Sequence, residues 1–147
     1  MTRKSPGQPV EILLVEDNLA DIRLTQEAFK DGKVTNNLNV MRDGVEAVDY
    51  LKKKGKYHKA ARPDIILLDL NLPKKNGHEV LEVIKADEDL KRIPVIVLTV
   101  SDDEKDIYKA YIRHANCYIT KPVDLAKFLD AIKSVKDFWL TIVKLPG

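Results

Sequence analysis

Three largely apolar runs mark this chain: VEILLV (Val10 to Val15), interrupted only by Glu11, IILL (Ile65 to Leu68) and IPVIVLT (Ile93 to Thr99). A strand with one wet face alternates polar and apolar residues, so a run without alternation reads as buried on both faces. NLNVMR (Asn37 to Arg42) and NCYIT (Asn116 to Thr120) add two shorter strands, the first alternating. Between them the spacing turns helical. LADIRLTQEAFKDG places Leu24, Ala28 and Phe29 on one face, stopped by Gly32. DGVEAVDYLKK carries Val45, Ala47, Val48 and Leu51, with Gly55 ending it, and GHEVLEVIKA carries Val80, Leu81 and Ile84. SDDEKDIYKAYIRHA opens with Ser101 and Glu104, the spacing of a capping box. The last helix, from Asp124, keeps Leu125, Phe128, Leu129, Ile132, Val135 and Trp139 on one side. Five rounds of strand then helix predict an α/β fold: a doubly wound, five-stranded parallel sheet with helices on both faces.

A length of 147 residues suits one domain. We expect residues 1–9 to be a flexible lead-in, 10–137 the domain, and 138–147 an apolar extension of the last helix with its tail. No apolar run approaches the ~18–20 residues of a membrane span, and MTRKSPGQP has no signal-peptide core. Cys117 stands alone, which fits a reducing, cytoplasmic setting without disulfides. The net charge of +2 predicts no strong field. The basic stretch from Leu51 to Lys59 reads as a solvated helix end and loop rather than a nucleic-acid patch. His58, His78 and His114 have no metal-ligand or triad spacing.

Doubly wound sheets bind ligands outside the carboxyl ends of their strands. Glu16 and Asp17 follow the first strand, Asp69 the third, Thr99 ends the fourth, and the fifth runs into Lys121. Each alone is unremarkable, since an acid at a strand end is often a cap or a solvated turn. Together, three carboxylates repel one another unless a cation compensates. An all-oxygen set suits Mg²⁺ or Mn²⁺ better than Zn²⁺. With an ammonium and a hydroxyl added, the set describes a phosphoryl-binding pocket.

LLVEDN, IILLDLNLP, VIVLT and YITKP resemble, in order and spacing, the signature segments of response-regulator receiver domains, over roughly residues 10–137. RIPVIVLT, NCYITKP and the tail FWLTIVKLP look, more narrowly, like the stand-alone regulators paired with cyanobacterial and bacterial phytochromes. The resemblance implies a CheY-like (flavodoxin-like) strand order of 2-1-3-4-5. It implies that Asp69 accepts a phosphoryl group from a sensor histidine kinase, a phytochrome on the narrower likeness. Asp17, Asp69 and the backbone carbonyl of Asn71 would ligate Mg²⁺, for which Mn²⁺ can substitute, and Glu16 would act through a metal-bound water. Lys121 would pair with Asp69 at rest and with a phosphoryl oxygen afterwards. Thr99 and Tyr118 would move together as the switch. A cis peptide at Lys121–Pro122 is also implied, against a base rate of about 5–6% for X–Pro bonds.

One departure stands out: Val100 follows Thr99 where the family usually has a small residue. Its methyls would crowd the path to the phosphoryl group that the resemblance implies, and so predict slower hydrolysis, although a β-branched residue also merely suits its backbone. We expect no output domain after the last helix, and therefore a partner or self-association to carry the signal. Phe138, Trp139 and Ile142 give that helix an apolar girth suited to a homodimer, with a fold-back of the tail as the alternative. The main rival is a small aspartate-nucleophile phosphatase or phosphotransferase. It expects a D-x-D pair, and here the second position is Asn71. A flavin module of the same topology expects a phosphate loop where Glu16 and Asp17 stand, and a degenerate receiver acting only as an adaptor fits poorly with the intact set.

Overall fold

A computed structural model describes residues 9–30, 36–70, 72–99, 117–121 and 123–132 of the chain. Among them lie five strands: β1 (Val10–Val15), β2 (Asn36–Met41), β3 (Ile65–Asp69), β4 (Val95–Thr99) and β5 (Cys117–Thr120). The helices are α1 (Leu19–Lys30), α2 (Gly44–Leu51), α3 (Gly77–Ala86) and α4 (Leu125–Ile132). The strands form one sheet in the order β2-β1-β3-β4-β5, and every pairing is parallel. The expected fold class and strand order are both found.

The apolar runs are explained by two cores, one on each face. Ile12 and Leu14 of β1, Ile65 and Leu67 of β3, and Ile96 and Leu98 of β4 pack with Phe29 of α1 and Phe128 of α4. The intervening Leu13, Val15, Ile66 and Leu68 pack with Ala47 and Leu51 of α2 and Val80, Leu81 and Ile84 of α3. Successive strand residues point to opposite faces, so a strand covered on both sides is apolar at every position. The side chains of Phe29 and Phe128 meet edge to face, with centroids 4.7 Å apart, and tie α1 to α4.

Helix α1 departs from expectation. It buries Ile22, Thr25 and Phe29, while Leu24 is 50% exposed. At 100° per residue Leu24 lies nearly opposite Ile22, and the stripe at 22, 25 and 29 wins. Thr25 is tolerated there because its hydroxyl donates to the Asp21 carbonyl at 2.8 Å. Val45 of α2, expected inside, is 43% exposed. Strand β2 lies at one end of the sheet, and its alternate residues Leu38 and Val40 pack, half-buried, against the first of the two cores.

The turn from β3 to α3 is held from two sides. Asn76 caps α3 by accepting from the Glu79 N–H, and Glu79 accepts from the Asn76 N–H in return. The Gly77 N–H donates to the Leu70 carbonyl at 3.0 Å. A Cβ on Gly77 would sit 2.5 Å from the Asp69 carbonyl oxygen and closer still to Leu70 Cα. A Cβ on Gly44, at the start of α2, would overlap the Lys75 carbonyl oxygen. Backbone approaches backbone at both points, which only glycine permits. Lys74, at φ 66°, turns the chain between them, and its ammonium lies 3.5 Å from Asp43 Oδ2.

Candidate functional site

Because the sheet is parallel, the C-terminal ends of β1, β3, β4 and β5 share one edge. Glu16 continues β1, its N–H donating to the Met41 carbonyl at 3.0 Å, and its side chain is 1% exposed. Asp17 follows, half-buried, with its carbonyl accepting from the Arg42 guanidinium at 3.0 Å. Asp69 ends β3 and is 5% exposed. One carboxylate oxygen from each of these three residues lies within 4.8 Å of the others.

Lys121, directly after β5, reaches into the cluster. Its Nζ lies 2.5 Å from Glu16 Oε1 and donates to Asp69 Oδ2 at 3.1 Å. It also donates to Asp21 Oδ2 at 3.2 Å. The lysine side chain is 8% exposed. The close approach to Glu16 Oε1 is an ion pair rather than an aligned hydrogen bond, and that buried oxygen accepts no hydrogen bond among the described residues. The other oxygen, Oε2, accepts from the Asn18 N–H at 3.2 Å.

Burial, reinforced by the Asp69 carboxylate, pushes Glu16 up to about 7, although Lys121 pulls the other way. Burial also opposes the charge on Lys121. There the facing Glu16 and Asp69 carboxylates outweigh it and hold the ammonium well above the ordinary lysine range. Three gathered carboxylates, one with a buried oxygen short of hydrogen bonds, are a hard, all-oxygen donor set. Such a set suits a divalent cation of the Mg²⁺ kind.

Glu16, Asp17, Asp69 and Lys121 thus come together as expected. The backbone puts Thr99 last in β4, in register with Thr120, and Tyr118 second in β5, beside Val97. Asn71, Val100, Pro122 and all of 133–147, including Phe138, Trp139 and Ile142, lie outside the described residues. Asp21 was missed. In the sequence it reads as an ordinary acid in the first turn of a helix, a position the helix dipole favours.

Fold and site together define a doubly wound α/β domain with an acid-and-lysine pocket at its strand ends. The chain belongs to the response regulator receiver domain family, whose family model matches residues 12–133. It is 49% identical over 139 residues to response regulator Rcp1 of Synechocystis sp., covering 95% of each chain. The crystal structure of the Mn²⁺-bound form of Rcp1 matches at 48% identity with a TM-score of 0.75, covering 90% of this chain and 95% of that one. The phosphorylated cyanobacterial phytochrome response regulator RcpA matches at 52% identity and a TM-score of 0.76, covering 91% and 96%. The bacteriophytochrome response regulator AtBRR matches at 42% identity and 0.82, covering 90% and 96%.

Proposed function

We propose that this receiver accepts a phosphoryl group on Asp69 from the phosphohistidine of a sensor histidine kinase, and that its altered shape then signals to a partner. The observation that carries the reading is the Lys121 ammonium 3.1 Å from Asp69 Oδ2, inside a cluster of carboxylates within 4.8 Å of one another. Asp69 is fixed at the end of the central strand β3, at the edge of the sheet where the other acids gather. Its carboxylate oxygen attacks phosphorus, the P–N bond to the donor imidazole breaks, and the imidazole leaves with its electron pair and takes up a proton.

Asp17, Asp69 and the Asn71 carbonyl would hold Mg²⁺, with Glu16 behind them. When bound, the cation offsets the repulsion between carboxylate and phosphoryl oxygens. The Mn²⁺-bound Rcp1 and the phosphorylated RcpA support this reading. Lys121 passes from Asp69 to a phosphoryl oxygen, and Thr99 and Tyr118 register the change as the switch. The kinship with RcpA and AtBRR favours a phytochrome as the kinase. No helix among the described residues is long and apolar enough to cross a membrane. A cytoplasmic place and a homodimer formed through Phe138, Trp139 and Ile142 complete the proposal.

The test is incubation with acetyl phosphate and Mg²⁺, read by intact mass and by sizing. One phosphoryl group per chain is expected, and none on Asp69→Asn. Equal labelling of that variant, or steady turnover of the donor with no labelled protein, would refute the assignment.

A further inference from the structure

Asp21 enters the site from outside the expected set. It stands in the first turn of α1, where Asn18 Oδ1 accepts its N–H at 3.0 Å. A surface acid there serves the helix dipole and needs no partner. Its Oδ2 instead takes a hydrogen bond at 3.2 Å from Lys121, 100 residues away. An ammonium has three N–H donors. Three carboxylates meet this one: Glu16, Asp69 and Asp21. The Glu16 and Asp69 side chains are 1% and 7% exposed, Asp21's is 26%. Asp21 therefore holds the lysine from the solvent side, while the other two hold it from within.

We propose that Asp21 is a positioning residue for Lys121 that governs how strongly the lysine opposes a divalent cation. The inference rests on the reading of the pocket given above. Lys121 and the cation bear on the same two carboxylates, Glu16 and Asp69. By drawing one N–H outward and sharing its charge, Asp21 loosens the lysine's hold on them. With Asp21 neutralised, the full ammonium charge falls on Glu16 and Asp69, and the cation must compete against it. The lost negative charge at the pocket mouth acts in the same direction.

The experiment titrates Mn²⁺ into the full chain and follows the free ion by electron paramagnetic resonance. Asp21→Asn should raise the dissociation constant by roughly 3- to 10-fold, and Asp21→Ala by more, since Asn keeps an acceptor. The readout that a merely structural role leaves unmoved is a double-mutant cycle. Lys121→Met keeps the buried stem and removes the ammonium; in that background Asp21→Asn should change the dissociation constant less than about twofold. Lys121→Gln repeats the cycle should Met not fold. The same factor in both backgrounds would make Asp21 a bystander charge and overturn the proposal. So would a fall in thermal stability with Mn²⁺ affinity unchanged. Wild-type protein that binds no Mn²⁺ would instead overturn the reading of the pocket itself, and this inference with it.

Discussion

Replacing Gly77 by alanine sets two forces of opposite sign against each other. Alanine is intrinsically favoured over glycine in a helix by about 1 kcal/mol. The new Cβ, however, would lie 2.5 Å from the Asp69 carbonyl oxygen, where ordinary contact begins at 3.4 Å. The obstacle is backbone, and it cannot step aside by changing rotamer. The Gly77 N–H to Leu70 carbonyl bond and the buried strand β3 hold it in place. Overpacking of this kind costs typically 1–3 kcal/mol, and a backbone obstacle argues for the upper end, about 3. The net loss is then about 2 kcal/mol. For a chain of this length that is a fall in Tm of roughly 6 °C. The turn that must shift begins at Asp69, so Mn²⁺ affinity should fall roughly tenfold as well. Gly55→Ala is the control. Gly55 has φ +55° with nothing within 4 Å of an added Cβ, so it should lose about 1–2 kcal/mol by backbone strain and leave Mn²⁺ binding intact. Thermal melts by circular dichroism and Mn²⁺ titrations of the three proteins decide the matter. A Gly77→Ala protein as stable as wild type, with unchanged affinity, would refute the argument.

Two further outcomes are expected. Glu16 is raised from its ordinary 4.5 to about 7, so the stability it contributes is full below pH 4.5 and is lost as pH rises through about 7. The Tm difference between metal-free wild type and Glu16→Gln should move against wild type across that window; a pH-independent difference would contradict the burial of the acid. Phe128 is fully buried against Phe29. Phe128→Ala should cost about 3–5 kcal/mol in urea unfolding, and a loss under 1 kcal/mol would mean that α4 is not anchored as described.

Much of this was written in the sequence because a two-sided parallel sheet leaves strong marks. IILL has no polar residue to spare for a wet face and VEILLV has only Glu11, and the acids that follow them fall at one edge once the strands are parallel. The helices were less legible. Apolar residues on α1 fit more than one stripe, and only packing against the sheet chose Ile22 and Phe29 over Leu24. Asp21 could not be found by strand-end reasoning, because it sits in the first turn of a helix and meets its lysine only across 100 positions of sequence. The glycines were similarly silent. Gly77 reads as a helix start until the neighbouring backbone shows how little room it has.

The lysine's placement also bears on how the protein comes into being. Its partners lie 52, 100 and 105 positions earlier, and it stands just past β5, the last strand in the sheet order. Loops that long close late and against entropy, so the β1–β3 half can form its hydrogen bonds well before its acids acquire a counter-ion. Until β5 docks, Glu16 and Asp69 face each other uncompensated. A nascent or truncated chain would therefore carry the buried acids without their ammonium, and a charge-balanced pocket becomes a certificate that folding has run to its end.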